Sequence, residues 1–434
     1  MRLDVLRLRG VPQGALGLLT LTALVGLGSV PAIAQTPSAP AAPPESGPTT
    51  VVVSGGGSRT LFKIALPKLL GDDGMSATVI ETESRDYKLS SLFQVLDPAS
   101  FTANLTVEGT SIDPASWRNV GAEGVVKGSV FPRGGNLHLE LKLFVVSRGA
   151  EAVLRHEYDV AEGGIRGAVH QFDNEVVKWF TGTAGSFGTQ MVFSATTGRG
   201  QKGIFQVDSD GQGVHRLQAV SNVALAPAMG PGGVYYSAGL ADGRYALFKV
   251  GNPAAVLQNP GLVFGVAFGA GKMALVISQG GQSDIFVGNP DGTALQKVTQ
   301  GGLNTHPAFG PGGELAYVSN AGGSPQIYVN GKRASWSGVY NMAPTWCNDP
   351  EGAKIVYMGR AGATWDIFSV DPGGGQASQK RLTQDQGSNT YPACSPDGRS
   401  VAFFSSRGGL YMMNNQGQNQ QKIAGVQGES LRWQ

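Results

Sequence analysis

Between residues 187 and 424 the chain repeats one unit six times: an apolar strand, a Pro/Gly turn, a second strand, then an aliphatic-aromatic pair. His306-Pro307-Ala308-Phe309-Gly310-Pro311-Gly312-Gly313 leads into Leu315-Ala316-Tyr317-Val318 and then Ile327-Tyr328. Tyr391-Pro392-Ala393-Cys394-Ser395-Pro396-Asp397-Gly398 leads likewise into Val401-Ala402-Phe403-Phe404 and then Leu410-Tyr411. Between them, Ala343-Pro344-Thr345-Trp346 precedes Ile355-Val356-Tyr357 and Ile367-Phe368, and three earlier copies carry anchors at Ile204-Phe205, Leu247-Phe248 and Ile285-Phe286. A period of about forty residues is the length of a four-stranded propeller blade. No such copy is stable alone, because both faces of each meander need a neighbour.

The turns and strands follow from residue chemistry. Proline presets one turn dihedral and glycine accepts a positive one, so the Pro-Asp-Gly and Pro-Gly-Gly segments close hairpins. Val401-Ala402-Phe403-Phe404 has no polar face and reads as a strand covered on both sides. The first copy begins at Gln190-Met191-Val192-Phe193 without an opening Pro-containing strand, whereas Glu429-Ser430-Leu431-Arg432-Trp433 resembles that missing strand. Pairing the two ends removes both open sheet edges. The expectation is six blades, with residues 187–434 closed by the C-terminal strand joining blade one.

Ahead of the propeller lies a segment of different grammar. Residues 1–34 carry Arg2, Arg7 and Arg9, an apolar stretch and Ala32-Ile33-Ala34, which reads as a secretory signal cleaved after Ala34. The apolar stretch is short for a membrane span and is broken by glycine and proline. Without it the chain loses three arginines and one aspartate, so 33 basic less three balances 31 acidic less one. No clustered basic footprint for nucleic acid is visible. Ala/Pro-rich residues 35–49 read as a tether. Residues 50–182 read as an α+β domain: Leu61, Ile64, Leu66, Leu69 and Leu70 suit a helix, Asp113-Pro114 opens another, residues 123–131, 137–147 and 152–160 form a meander, and Ile165, Val169, Phe172, Val176 and Phe180 fall on one helical face.

Motifs for chemistry are weak. Val51 to Gly57 lacks both the Gly-Lys-Ser/Thr ending of a phosphate loop and the third glycine of a dinucleotide fingerprint. There is no Gly-x-Ser-x-Gly motif. His138, His156, His170, His215 and His306 are scattered without metal-ligand spacing, and most read as surface residues. Asp208-Ser209-Asp210-Gly211 lacks the glutamate of a calcium loop and reads as a hairpin turn. Cys347 and Cys394 sit one position apart relative to Pro344 and Pro392, so strand alternation puts them on different faces and predicts two free thiols.

In order of segments, the chain resembles the TolB family, the periplasmic propellers of the Tol-Pal envelope system. The resemblance rests on the signal segment, the small domain, the six blades, Trp117 ahead of Gly121-Ala122-Glu123-Gly124-Val125-Val126-Lys127-Gly128, and the helix ending Val177-Lys178-Trp179-Phe180-Thr181-Gly182. It implies a non-enzymatic adaptor in the periplasm that binds the lipoprotein Pal at the propeller mouth and TolA through its N-terminal segment. Such an adaptor supports outer-membrane integrity and constriction at division.

Carried over position by position, the Pal-facing loops are Asn304-Thr305-His306, Asn341-Met342 and Asn389-Thr390-Tyr391, and the TolA-binding segment is Val51-Val52-Val53-Ser54. The same Asn and Thr side chains also suit plain turn capping. Residues 35–49 precede the TolA segment, either extending it or altering a free terminus. No cofactor is expected, although the resemblance leaves room for a cation in the tunnel with no ligand that can be named. The rival reading is a generic periplasmic propeller that binds or processes a small ligand or glycan. A last departure is Val266, which stands where the other copies have proline.

Overall fold

A computed structural model describes residues 61–434 apart from Gln218, Asn222, Gln258, Pro260 and Glu351. The segment Val51 to Ser54 and the glycines after it therefore lie outside the described residues.

The first domain is a mixed sheet with helices. Strand β1 (Phe62–Ala65) runs parallel to β3 (Phe93–Val95) and β4 (Gly124–Arg133), and β2 (Leu70–Gly71) also pairs with β4. Strands β5 (Asn136–Val145) and β6 (Ala152–Val160) continue it as an antiparallel meander. Leu137, Leu139, Leu141 and Leu143 alternate toward helices α1 (Asp73–Ser90) and α4 (Ile165–Thr181). Trp117 on the short helix α3 (Pro114–Asn119), which follows the one-turn helix α2 (Leu105–Glu108), fills the opposite face with Ala65, Val125 and Phe144. Asp113 caps α3 through the Ala115 amide, as Asp-Pro predicts.

The helix expected at Leu61 to Leu70 is absent. Its apolar residues are a strand and the turn after it, with Ile64, Ala65, Leu66 and Leu69 buried. A parallel strand covered on both faces is a continuous apolar run, which short-range periodicity does not separate from a helix. The helix lies one segment later, capped by the Asp72 side chain on the Met75 amide at 2.9 Å. Its inward face carries Ser76, Thr82, Glu83, Asp86 and Tyr87, so it shows no apolar stripe.

The propeller has six sheets in a ring. Residues Glu429–Trp433 form the innermost strand of blade one, pairing with Gln190–Gly198. The ring is thereby closed by the first and last strands of the repeat region, as the repeat requires. The aliphatic-aromatic pair is the blade's core device. In five blades the aromatic stacks directly on an aromatic of the second strand: Phe193–Phe205, Tyr236–Phe248, Tyr317–Tyr328, Tyr357–Phe368 and Phe403–Tyr411, with centroids 5.6, 5.9, 5.9, 5.8 and 6.0 Å apart. Such cross-strand pairs each contribute about 0.5–1.5 kcal/mol beyond burial. In blade three Leu275 faces Phe286 instead.

The expectation of two free thiols is overturned: Cys347 and Cys394 form a disulfide, with Cα atoms 5.3 Å apart. The two residues do point to opposite faces of their strands. Blades stack face to back, however, so the rear of blade five meets the front of blade six. Cys347 and Cys394 both lie in that seam with Val356, Met358, Val401 and Phe403, whereas Trp346 faces blade four.

Candidate partner-binding mouth

Chain direction defines the two ends of the propeller. In each antiparallel meander the start of the innermost strand lies at the same end as the hairpin between the second and third strands. The other two hairpins lie at the opposite end. The first domain packs on that opposite end. Arg166 Nη2 donates to Asp210 Oδ2 at 2.7 Å, Arg85 Nε donates to the Asp210 carbonyl at 2.9 Å, and Asn419 Nδ2 donates to the Lys88 carbonyl at 2.9 Å. Arg399 donates from blade six to Thr181 Oγ1 at 2.9 Å and to the Ala184 carbonyl at 3.2 Å. The mouth formed by the strand starts is left clear of that domain.

Every innermost strand is bent at the mouth by a break in register. In five blades the bend places a non-glycine residue at positive φ: Ser430 (55°), Ala226 (47°), His306 (52°), Ala343 (51°) and Tyr391 (49°). Left-handed backbone costs a residue with a Cβ roughly 1–2 kcal/mol, so its recurrence marks an imposed geometry. The bulge re-aims the neighbouring side chains toward the channel end. Blade three breaks register one step earlier, between Val263 and Gly265, just ahead of Val266 where proline is missing.

The sequence-derived residues divide into two sets. Asn304, Asn341 and Asn389 are buried, and the first two reach across the seam to the preceding blade. Asn304 Nδ2 donates to Asp284 Oδ1 at 3.1 Å, and Thr299 Oγ1 donates to the same oxygen at 3.2 Å. Asn341 Nδ2 donates to Gln326 Oε1 at 2.7 Å, and Asn389 Nδ2 to the Gly387 carbonyl at 3.4 Å. The related position in blade five is Asp366, which accepts from Thr383 at 2.8 Å and from Arg381. Thr305, His306, Met342, Thr390 and Tyr391 are partly buried at the rim.

The mouth also sets its own electrostatics. Burial, with a smaller contribution from the Arg432 charge, lowers the His306 pKa to about 4, so its imidazole is neutral at pH 7. His306 belongs to blade four and Arg432 to blade one, so that coupling spans the channel. Burial brings Arg432 down to about 10, and burial followed by the Glu429 charge pushes Tyr391 up to about 12. Both groups keep their ordinary neutral-pH forms. Among the described residues no group of three or more His, Cys, Asp or Glu side chains is arranged to hold a metal ion.

Two features escaped sequence reading. Asp208 to Gly211 is a hairpin turn, but its Asp210 is buried and binds two arginines of the first domain. His170 is not a surface residue: it is buried, with Nδ1 2.6 Å from Asp86 Oδ2, and only His215 of the five histidines is exposed.

A family profile described as the TolB beta propeller domain matches residues 177–432, and one described as the TolB amino-terminal domain matches residues 49–152. A TolB homolog of Chlorobium luteolum is 31% identical over 219 residues, covering 49% of this chain and 50% of that protein. The Tol-Pal system protein TolB of Anaeromyxobacter dehalogenans is 31% identical over 243 residues, covering 53% and 54%. The chain thus spans about half the length of these curated relatives. The crystal structure of TolB from Acinetobacter baumannii matches 89% of this chain and 98% of that one, with a TM-score of 0.72 at 21% identity, a likeness of fold.

Proposed function

The chain belongs to the TolB family, and from that premise we propose that it is a non-enzymatic periplasmic adaptor of the Tol-Pal system. In this reading it binds Pal at the propeller mouth and TolA through Val51-Val52-Val53-Ser54, and it supports envelope integrity and constriction at division. The observation that carries the reading is the mouth itself. Five strained bulges bring partly buried side chains to one end of the ring, and the first domain occupies the other end. A rigid scaffold that aims mobile-length side chains at an open rim suits protein recognition. The asparagines position the rim from the seams, while Thr305, His306, Met342, Thr390 and Tyr391 make the contact.

A titration of the mature protein with Pal from the same organism tests this. Saturable binding that weakens in Thr305→Ala/His306→Ala, with melting unchanged, supports it. Absence of binding by the folded wild type would sink it.

A further inference from the structure

The mouth has a charge pattern that the repeat does not require. Arg199 is exposed at the tip of the hairpin between the second and third strands of blade one. Arg360 flanks the corresponding hairpin of blade five, where Nε donates to the Gly362 carbonyl at 3.3 Å. Arg407 stands at that of blade six, its guanidinium 4.2 Å over the Tyr411 ring and its Nη2 donating to Gln420 Oε1 at 2.9 Å. Arg432, on the innermost strand of blade one, donates among the described residues only to the neighbouring Leu431 carbonyl, at 3.1 Å. Among the described residues none of these four has a carboxylate within ion-pair distance. Blades five, six and one are consecutive round the ring, so the four form an arc. The matching hairpins of blades three and four, Gly280-Gly281 and Asn320 to Gly323, carry no charge.

Most acidic side chains at this end are already paired. Asp242 pairs with Arg244 at 2.7 Å, Asp284 with Lys297 at 2.5 Å, Asp366 with Arg381 at 2.5 Å, and Glu429 with Lys202. Asp385 is the one carboxylate here without a cation among the described residues. The first domain shows the contrary habit: Arg85 and Arg166 both engage Asp210.

We propose that the arc of Arg360, Arg407, Arg199 and Arg432 receives a carboxylate-bearing loop of a protein partner. This rests on the reading of the mouth as the partner-binding end and adds the chemistry of the partner. Guanidinium groups match carboxylates through two parallel hydrogen bonds. Arg432 is recessed beside the channel, opposite a neutral His306, so only a protruding side chain reaches it. A flat bilayer would meet the hairpin tips and leave Arg432 untouched. Burial of Arg432 also strengthens its attraction for an arriving anion.

The test uses the mature chain and three probes: Pal of the same organism, a polyglutamate peptide, and phosphatidylcholine vesicles carrying phosphatidylglycerol. Binding is measured at about 50 and about 300 mM salt. The wild type should lose at least about tenfold in affinity for Pal and for the peptide between the two salts. Arg199→Gln/Arg360→Gln/Arg407→Gln and the separate Arg432→Gln should each weaken low-salt binding by about tenfold and flatten that dependence. Melting identifies any misfolded variant, in which case Arg199→Glu alone carries the test. Equal Pal binding by wild type and variants overturns the arc and leaves the mouth reading intact. Failure of the wild type to bind Pal defeats the mouth reading, and the peptide then decides the arc: retention by wild type but not variants upholds it, and no retention overturns it. Vesicle binding without peptide binding overturns it in favour of a lipid surface.

Discussion

Cys347 of blade five is joined to Cys394 of blade six across a seam that also holds Val356 and Phe403. The bond closes a loop of 47 residues in sequence separation, and its removal frees the unfolded chain. Loop-closure entropy puts the effect at about 2–4 kcal/mol. Reduction, or Cys347→Ala/Cys394→Ala, should lower the unfolding free energy by that amount, seen as a lower urea midpoint, with a slope that steepens as the freed unfolded chain expands. Thiol titration of the unfolded, unreduced protein should find no free thiol; two titratable thiols would contradict the assignment.

Alternation along a strand reports the faces of one sheet, whereas this bond spans two, which is why spacing from Pro344 and Pro392 misled. The ring itself was legible because each copy repeats its turn glycines and its aliphatic-aromatic pair in register. Closure was legible for the same reason, since Glu429 to Trp433 supplies the strand that Gln190 lacks. Helix α1 was not, because its buried face carries Glu83, Asp86 and Tyr87 in place of leucines. At the mouth, Asn304, Asn341 and Asn389 stood out in sequence as polar residues, but polarity does not say whether an amide faces solvent or a seam.

Asn304 separates fold from contact. Replacing it with alanine removes one of two donors to buried Asp284 Oδ1 and should cost about 1–3 kcal/mol. Thr305→Ala/His306→Ala, at partly buried positions whose side chains bond each other, should change the melting temperature far less than Asn304→Ala while reducing Pal affinity. Calorimetric melting alongside binding titration distinguishes the two. Equal destabilisation by both variants would place Thr305 and His306 in the framework.

Glu83 of α1 sits fully buried against α4, and among the described residues neither carboxylate oxygen has a hydrogen-bond partner. Burial, then the charges of Asp173 and Asp86, holds its pKa well above the ordinary carboxylate range. Asp86 and Asp173 are raised too, chiefly by burial, with His170 against Asp86 and Tyr87 donating to Asp173. Arg85, Arg166 and Asp210 add charge from the neighbouring surfaces. A carboxyl with a raised folded pKa favours folding most below its unfolded value, about 4.3, and that advantage is lost as pH rises through the folded value. The first domain should therefore become less stable on the alkaline side. Glu83→Met keeps the length, removes the buried acid, and should raise stability at pH 8 by at least about 1 kcal/mol. Melting curves from pH 5 to 9 check this, and a variant that falls with pH as steeply as the wild type would rule out Glu83 as the source.

Asp210 is the carboxylate through which the first domain holds blade one, with Arg166 at 2.7 Å and Arg85 Nε at 3.6 Å. Asp210 is buried, but the arginine side chains are 26% and 33% exposed, so solvent screens part of the attraction. Asp210→Ala should therefore cost about 1–3 kcal/mol at the junction, below the value for a wholly buried pair. Arg85 keeps a donation to the Ile423 carbonyl at 3.2 Å, and Arg399 keeps its contacts to Thr181 and Ala184, so the domains should remain attached but open more often. Limited proteolysis should then cut faster within residues 183–188, while the propeller's own melting transition stays in place. An unchanged cleavage rate would show that Arg399, and not Asp210, governs the junction.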